Sequence, residues 1–418
     1  MKHIVVVETT TSGSGFHIFQ AALEDDNIKL TFICENIDSY RTIDKEGILN
    51  RISIVECNTK SIEKLRESIK QLNSIHKIDG LVCLNDKAIE QVSVVAEEFN
   101  LSFMSATAVK IARNKDRFRD FCLANHFPVP NFIKINPNDL LAKEALIEKG
   151  KEIGYPLIIK TSLGTGSANV VLCKDEKELC HRYEQISGVM GNQLILLEEF
   201  ITGPVFSVES ITFRGETQIL GLSDRTLGPQ PNFVELGATF PVSVGEKMYA
   251  AIEELINRLF SKLGISHGVS HTEIILSRNG PVLVELNPRL GGGLIGPMIS
   301  KSYGINIYKE IIKLALDVKP VIPEKPLQAA AFQILFSAQS GKIKNICANL
   351  AKDYPSIEEI IVRDRVGQHV QSPPTDFRGD LAIVLAVGET TDMAVNNCKA
   401  AMTAIHYEVE IGNDGNAN

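Results

Sequence analysis

The chain has 418 residues, 44% of them hydrophobic and 22% charged, values that set it apart from disordered chains and imply two to three packed domains. Its 51 Asp and Glu outweigh 43 Lys and Arg for a net charge of −8, so nothing global draws it to nucleic acid or to an anionic membrane. No apolar run reaches the roughly 18 residues of a membrane span, the run Ile4–Val7 is too short for a signal peptide, and the eight cysteines form no C-x-x-C pair that would suggest zinc or a disulfide framework. A soluble cytoplasmic protein with reduced thiols is expected.

The first hundred residues alternate short apolar runs with amphipathic stretches. Ile4–Val7, Leu30–Cys34, Ile52–Val55 and Gly80–Leu84 read as strands, and Phe16–Leu23 and about 61–73 as helices. This alternation predicts a parallel, doubly wound sheet. The turn Thr9–Gly15 contains Gly-Ser-Gly but lacks the third glycine of a dinucleotide fingerprint; it reads as a tight βα turn that walls a substrate cleft. Phe127-Pro128-Val129-Pro130 reads as an inter-domain joint. An α+β stretch runs from there to about 320. Pro320, Pro323 and Pro326 then lead into a last unit with strands Ala329–Phe336 and Leu381–Val387 and a helix from about Thr391. The polar end, Gly412–Asn418, is expected to fray.

Three segments carry chemistry. Leu157–Lys160 is an apolar strand ending in lysine. It is followed by Gly164-Thr165-Gly166-Ser167-Ala168-Asn169, whose small residues let backbone N–H groups approach a phosphate. Leu194–Leu197 runs into Glu198-Glu199-Phe200-Ile201, where strand-end backbone could bond a purine edge between apolar walls.

The third and most specific segment is a hairpin over 269–287. A three-residue loop Arg278-Asn279-Gly280 would set Ser277 opposite Pro281. Glu273 then lies opposite Glu285, and His271 opposite Asn287, on one face. A two-residue loop would put the two glutamates on opposite faces. Two facing glutamates repel, so a cation between them is expected, and Glu, Glu and Asn oxygens suit Mg²⁺. Arg289 and Gly291-Gly292-Gly293 follow at once as an anion-binding loop. Acids for metal beside a cation for phosphate describe phosphoryl transfer.

These segments resemble the ATP-grasp carboxylate–amine ligases over nearly the whole chain. The strongest match is Glu273…Glu285-x-Asn287-x-Arg289. It is supported by Arg113-Asn114-Lys115-Asp116, by Tyr155-Pro156 with Lys160, by Gly164–Ser167 and by Glu198-Glu199-Phe200-Ile201-x-Gly203. The resemblance implies an α/β chain, α+β in the ATP-grasp part. Its expected divisions are a Rossmann-like domain at 1–105, linker helices and a lid subdomain at 106–205, a catalytic subdomain at 206–325 and a small α+β domain at 326–418.

The resemblance further implies ATP and Mg²⁺ as cofactors, two ions in number, with Mn²⁺ able to substitute. Lys115 and Lys160 would contact phosphates under a lid containing Gly164, Gly166 and Ser167. Glu198, Glu199, Phe200 and Ile201 would hold the nucleotide. Glu273, Glu285 and Asn287 would bind metal, and Arg289 would stabilise the transferring phosphoryl group, with Lys160 as a second catalytic cation. His271 is a candidate base. Many members carry a second glutamate seven residues after the first, for the ribose; here that position is Val205.

Phe233–Gly237, Phe240-Pro241 and His267-Gly268-Val269-x-His271 are most similar to the stand-alone amino acid ligases. Glu209, Asp224 and Glu235 would then receive an amino group, and Arg289, Gly292 and Gly293 a substrate carboxylate. Amino acids, as small-molecule substrates, are the expected partners, with no nucleic acid or membrane, and the N-terminal sheet offers a homodimer surface. A ligase or carboxylase using bicarbonate, formate or another carboxylate is the alternative.

Overall fold

The computed structural model describes residues 1–11, 14–139, 142–164, 170–187, 193–228, 234–374 and 379–411. These form two compact units. The first comprises 1–129, 207–222 and 243–325; the second comprises 130–206, 223–242 and 326–418. Among the described residues, no helix is long and apolar enough to cross a membrane.

The first unit begins with the expected parallel sheet. Its strands lie in the order Ser53–Glu56, Ile28–Cys34, Lys2–Val7, Gly80–Val82, and each neighbouring pair is parallel. A strand covered on both faces has no polar side to show, which is why Ile4–Val7 reads as an unbroken apolar run. Helices His17–Leu23 and Ile62–Ile75 connect strands of this sheet and Ile89–Glu98 follows its last strand, and Ser61 caps the second by accepting from the Lys64 N–H. Gly80 has no room for a side chain. A Cβ there would stand 2.7 Å from the carbonyl oxygen of Ala315, at the end of helix Ile307–Ala315.

Two further helices, Ala106–Arg113 and Lys115–Ala124, meet at Asn114. A second sheet follows in the order Glu216–Asp224, Val205–Phe213, His267–Ser277, Gly280–Asn287.

The hairpin corrects one expectation and keeps its consequence. Ser277 pairs with Gly280, not Pro281, so the turn is the two-residue Arg278-Asn279. Gly280, at φ +114°, absorbs the turn's backbone demand. That register alone would set Glu273 against Val284. Instead Ile274 pairs with Leu283 and Glu273 with Glu285, leaving Val284 as an extra residue in a β-bulge. The bulge shifts the ladder by one, and His271 faces Asn287 as predicted.

In the second unit, an antiparallel sheet has the order Phe132–Ile135, Ile195–Glu199, Leu157–Thr161, Val171–Cys173. Helices Ala142–Ile153 and Glu176–Ser187 supply Leu146, Leu179 and Ile186 to its core. A five-stranded sheet runs Thr226–Leu227, Glu235–Phe240, Ala329–Phe336, Asp380–Gly388, Ile357–Val362. Helix Thr391–Thr403 packs Ala394, Cys398 and Ala401 on it, against Ala331, Ala382 and Val384.

Candidate active site

The predicted residues divide between the two units. In the first, the hairpin brings Glu273, Glu285, His271 and Asn287 to one face. The two glutamates are flanked by cations. Lys115 Nζ, at the start of its helix, lies 3.1 Å from Glu285 Oε2. His271 Nε2 lies 3.7 Å from Glu273 Oε1, and its Nδ1 is hydrogen-bonded to Glu209 Oε1 at 2.7 Å. Burial works against a charge on this ring, yet the Glu209 and Glu273 carboxylates outweigh it and hold the His271 pKa at about 10.

This geometry alters two expectations. Both His271 nitrogens face carboxylates, so the ring is placed to position Glu273. Glu209 is fully buried and engaged with His271, so it does not present itself to a substrate amino group.

Arg289 follows the hairpin. Its Nε donates to Asp86 Oδ1 at 2.8 Å, its Nη2 donates to Asp86 Oδ2, and its Nη1 donates to the Leu290 carbonyl at 2.8 Å. Arg113 Nη1 stands 3.0 Å from the same Asp86 carboxylate. Burial disfavours the Asp86 anion, but Arg289 and then Arg113 more than compensate and hold its pKa below the usual Asp range. Asp86 was not legible as a site residue, because its partner lies 203 positions away in sequence. Its only local signal is that it follows the carboxyl end of strand Gly80–Val82, the edge of a parallel sheet where ligand-binding loops gather. Gly292 is exposed and open around its Cα. The Gly293 carbonyl accepts from Ser14 Oγ at 3.0 Å, tying the glycine loop to the turn after the first strand.

In the second unit, Lys160 Nζ and Glu198 Oε2 form a buried pair at 2.6 Å on adjacent strands. Glu199 accepts from Asn131 Nδ2 at 2.9 Å. Phe200 and Ile201 follow that strand, half-buried, and Gly164 follows the Lys160 strand. Gly166 and Ser167 lie outside the described residues. Asp224 Oδ1 accepts the Thr239 N–H at 2.7 Å, so its carboxylate fastens a neighbouring strand. Glu235 Oε2 instead faces Arg225 Nη2 at 3.6 Å.

Among the described residues, no three His, Cys, Asp or Glu side chains gather as a metal cluster. The oxygen donors on the hairpin face are Glu273, Glu285 and the Asn287 carboxamide. Two carboxylates and a carboxamide are hard oxygen donors, and that chemistry fits a magnesium ion bridging substrate phosphates.

Comparison with known proteins agrees with this reading. A family model for the ATP-grasp domain matches residues 153–298, and one for the L-amino acid ligase C-terminal domain 2 matches 333–410. The fold is that of an L-amino acid ligase from Bacillus licheniformis, with a TM-score of 0.80, 22% identity, and 98% of this chain and 99% of that one covered. The chain thus carries an ATP-grasp domain followed by an L-amino acid ligase C-terminal domain, the make-up of an ATP-grasp ligase. Its curated relatives include the L-arginine-specific L-amino acid ligase of Bacillus subtilis, 21% identical over 67% of this chain and 68% of the relative. Human carnosine synthase 1 is 25% identical over 60% of this chain, which spans only 32% of that protein's length.

Proposed function

We propose that the chain joins two amino acids into a dipeptide, using ATP to convert one carboxylate into an acyl phosphate and releasing ADP and phosphate. The observation that carries this reading is the hairpin face holding Glu273, Glu285 and Asn287, with Arg289 fixed by Asp86 directly after it. The matched L-amino acid ligase C-terminal domain supports amino acids as substrates. The four sequence divisions at 105, 205 and 325 stand as part of the same proposal.

The chemical demand is simple. A free carboxylate does not react with an amine at neutral pH because its leaving group is oxide. Phosphorylation supplies a good leaving group, and charge must be neutralised as it moves. Lys115 and Lys160 would bind ATP phosphates, with Glu198, Glu199, Phe200 and Ile201 holding the base and sugar. Glu273, Glu285 and Asn287 would hold magnesium. Bound there, the metal supplies positive charge against the phosphoryl group. Arg289 engages Asp86 through Nε and Nη2 and Leu290 through Nη1. A guanidinium has five N–H donors, so Nη1 and Nη2 each keep one for the acyl phosphate. His271 keeps Glu273 in place.

Phosphate release from ATP and Mg²⁺, screened over single amino acids and pairs with mass analysis of products, tests the reading. A pair-dependent signal and a product at the summed mass less water is expected. Turnover with bicarbonate or formate and no amino acid would replace it with the alternative.

A further inference from the structure

The loop that carries Asp86 is shaped by its neighbour Asn85. Asn85 Oδ1 accepts the Lys87 N–H at 2.9 Å, a side-chain turn that spans Asp86. The Asn85 carbonyl accepts the Ala88 N–H at 3.3 Å. The other half of the carboxamide leaves the loop. Its Nδ2 donates to the Thr9 carbonyl at 2.7 Å, 76 positions away in sequence. That bond ties together the carboxyl ends of two adjacent parallel strands, Lys2–Val7 and Gly80–Val82.

Thr9 is in turn anchored. Its N–H donates to the Tyr40 hydroxyl at 3.3 Å, its carbonyl lies 2.9 Å from that hydroxyl, and its Oγ1 donates to the Gly15 carbonyl at 2.9 Å. The hydroxyl has a single hydrogen, for which Glu8 Oε2 competes with the Thr9 carbonyl. Glu8 is buried, and its Oε1 accepts from the Glu35 N–H at 2.6 Å and from the Thr59 hydroxyl at 2.8 Å. Its backbone stands at φ +51°, a left-handed conformation that a residue with a Cβ rarely adopts. Such strain persists only where the surroundings over-determine it, and it gathers at functional sites. The Thr9–Gly15 bond spans the turn after the first strand. The Glu8, Tyr40 and Asn85 bonds carry the position of that turn across to the Asp86 loop.

We propose that Asn85 and Tyr40 are positioning residues: they fix Asp86, and through it the Arg289 guanidinium, in the orientation that meets the acyl phosphate. This rests on the dipeptide-ligase reading. Both act through Asp86 and take no part in the chemistry themselves. Asp86 grips Arg289 with both carboxylate oxygens and also faces Arg113. A two-point grip of this kind depends on the carboxylate lying in line with the guanidinium plane. Rotation of the loop would therefore break it with no charge removed, and would release both arginines together.

The test uses the full-length enzyme and a productive pair from the screen above, well below the unfolding temperature. Asn85→Ala and Tyr40→Phe are each expected to lower kcat about 5- to 20-fold, the effect of leaving a buried hydrogen-bonding group without its partner. In an Asp86→Asn background each is expected to cost less than about twofold, because Arg289 has already lost the carboxylate they place. Residues that merely stabilise the fold would lower kcat by the same factor in both backgrounds. That result, or an unchanged kcat in the otherwise wild-type chain, would overturn the proposal. Hydrogen–deuterium exchange reads the linkage with no substrate and no change at Asp86. Tyr40→Phe is expected to speed exchange over residues 85–88 about fivefold or more, although it alters no residue of that loop; unchanged exchange there overturns the proposal as well. Product from the wild type with any of these contrary results sinks this inference alone; no product from any pair sinks it together with the ligase reading.

Discussion

Arg289 reaches its working position through Asp86, and the energetics of that pair make it the sharpest residue-scale test of the site. Removing one partner of a buried ion pair leaves the other charge uncompensated, at a cost of about 3–5 kcal/mol. Asp86→Asn strands both Arg289 and Arg113. We expect a lower melting temperature and a kcat reduced at least tenfold, since Asp86 holds the arginines that orient the site. The pH dependence has a definite sign. The folded pKa of Asp86 lies below its ordinary value of 3.8, so its stabilisation is complete above that value and fades as pH falls through the lower folded value. Urea midpoints of wild type and Asp86→Asn should therefore converge below about pH 3.8; a constant gap down to pH 2 would contradict this account of the pair.

At the scale of elements, the loop that carries Asp86 is placed by the strand before it. Strand Gly80–Val82 runs against the end of helix Ile307–Ala315, where only glycine fits at position 80. The obstacle is backbone, the Ala315 carbonyl, and cannot rotate away. Gly80→Ala must push strand and helix apart, and overpacking of this kind costs about 1–3 kcal/mol. We expect the melting temperature to fall by several degrees and turnover to fall with it, because Asp86 follows the strand by four residues. Unchanged turnover at lowered stability would separate the strand from the site.

Over the whole molecule, apolar patterning made the strands legible. Runs such as Ile4–Val7, Leu157–Lys160 and Ala329–Phe336 lie where the sequence puts them. The hairpin pairing was legible for a reason that was half wrong. The turn is shorter than predicted, and the bulge at Val284, which no turn rule reveals, restores Glu273 opposite Glu285. Facing glutamates were expected to need a cation, and Lys115 and His271 flank them. Asp86 escaped notice, and Arg113 was noticed only as part of a motif, because their pairing arises from folding. Glu209 and Asp224 looked like substrate acids because a sequence displays a charge without its hydrogen-bond partner.

The central claim is that a substrate carboxylate is phosphorylated before the C–N bond forms. The most direct measurement supplies the acyl donor with ¹⁸O in its carboxylate and reads the isotope in the released phosphate. An acyl phosphate leaves one carboxylate oxygen on phosphorus, so the account predicts phosphate carrying one ¹⁸O per product formed. Unlabelled phosphate alongside product, or the label found in AMP, would contradict it.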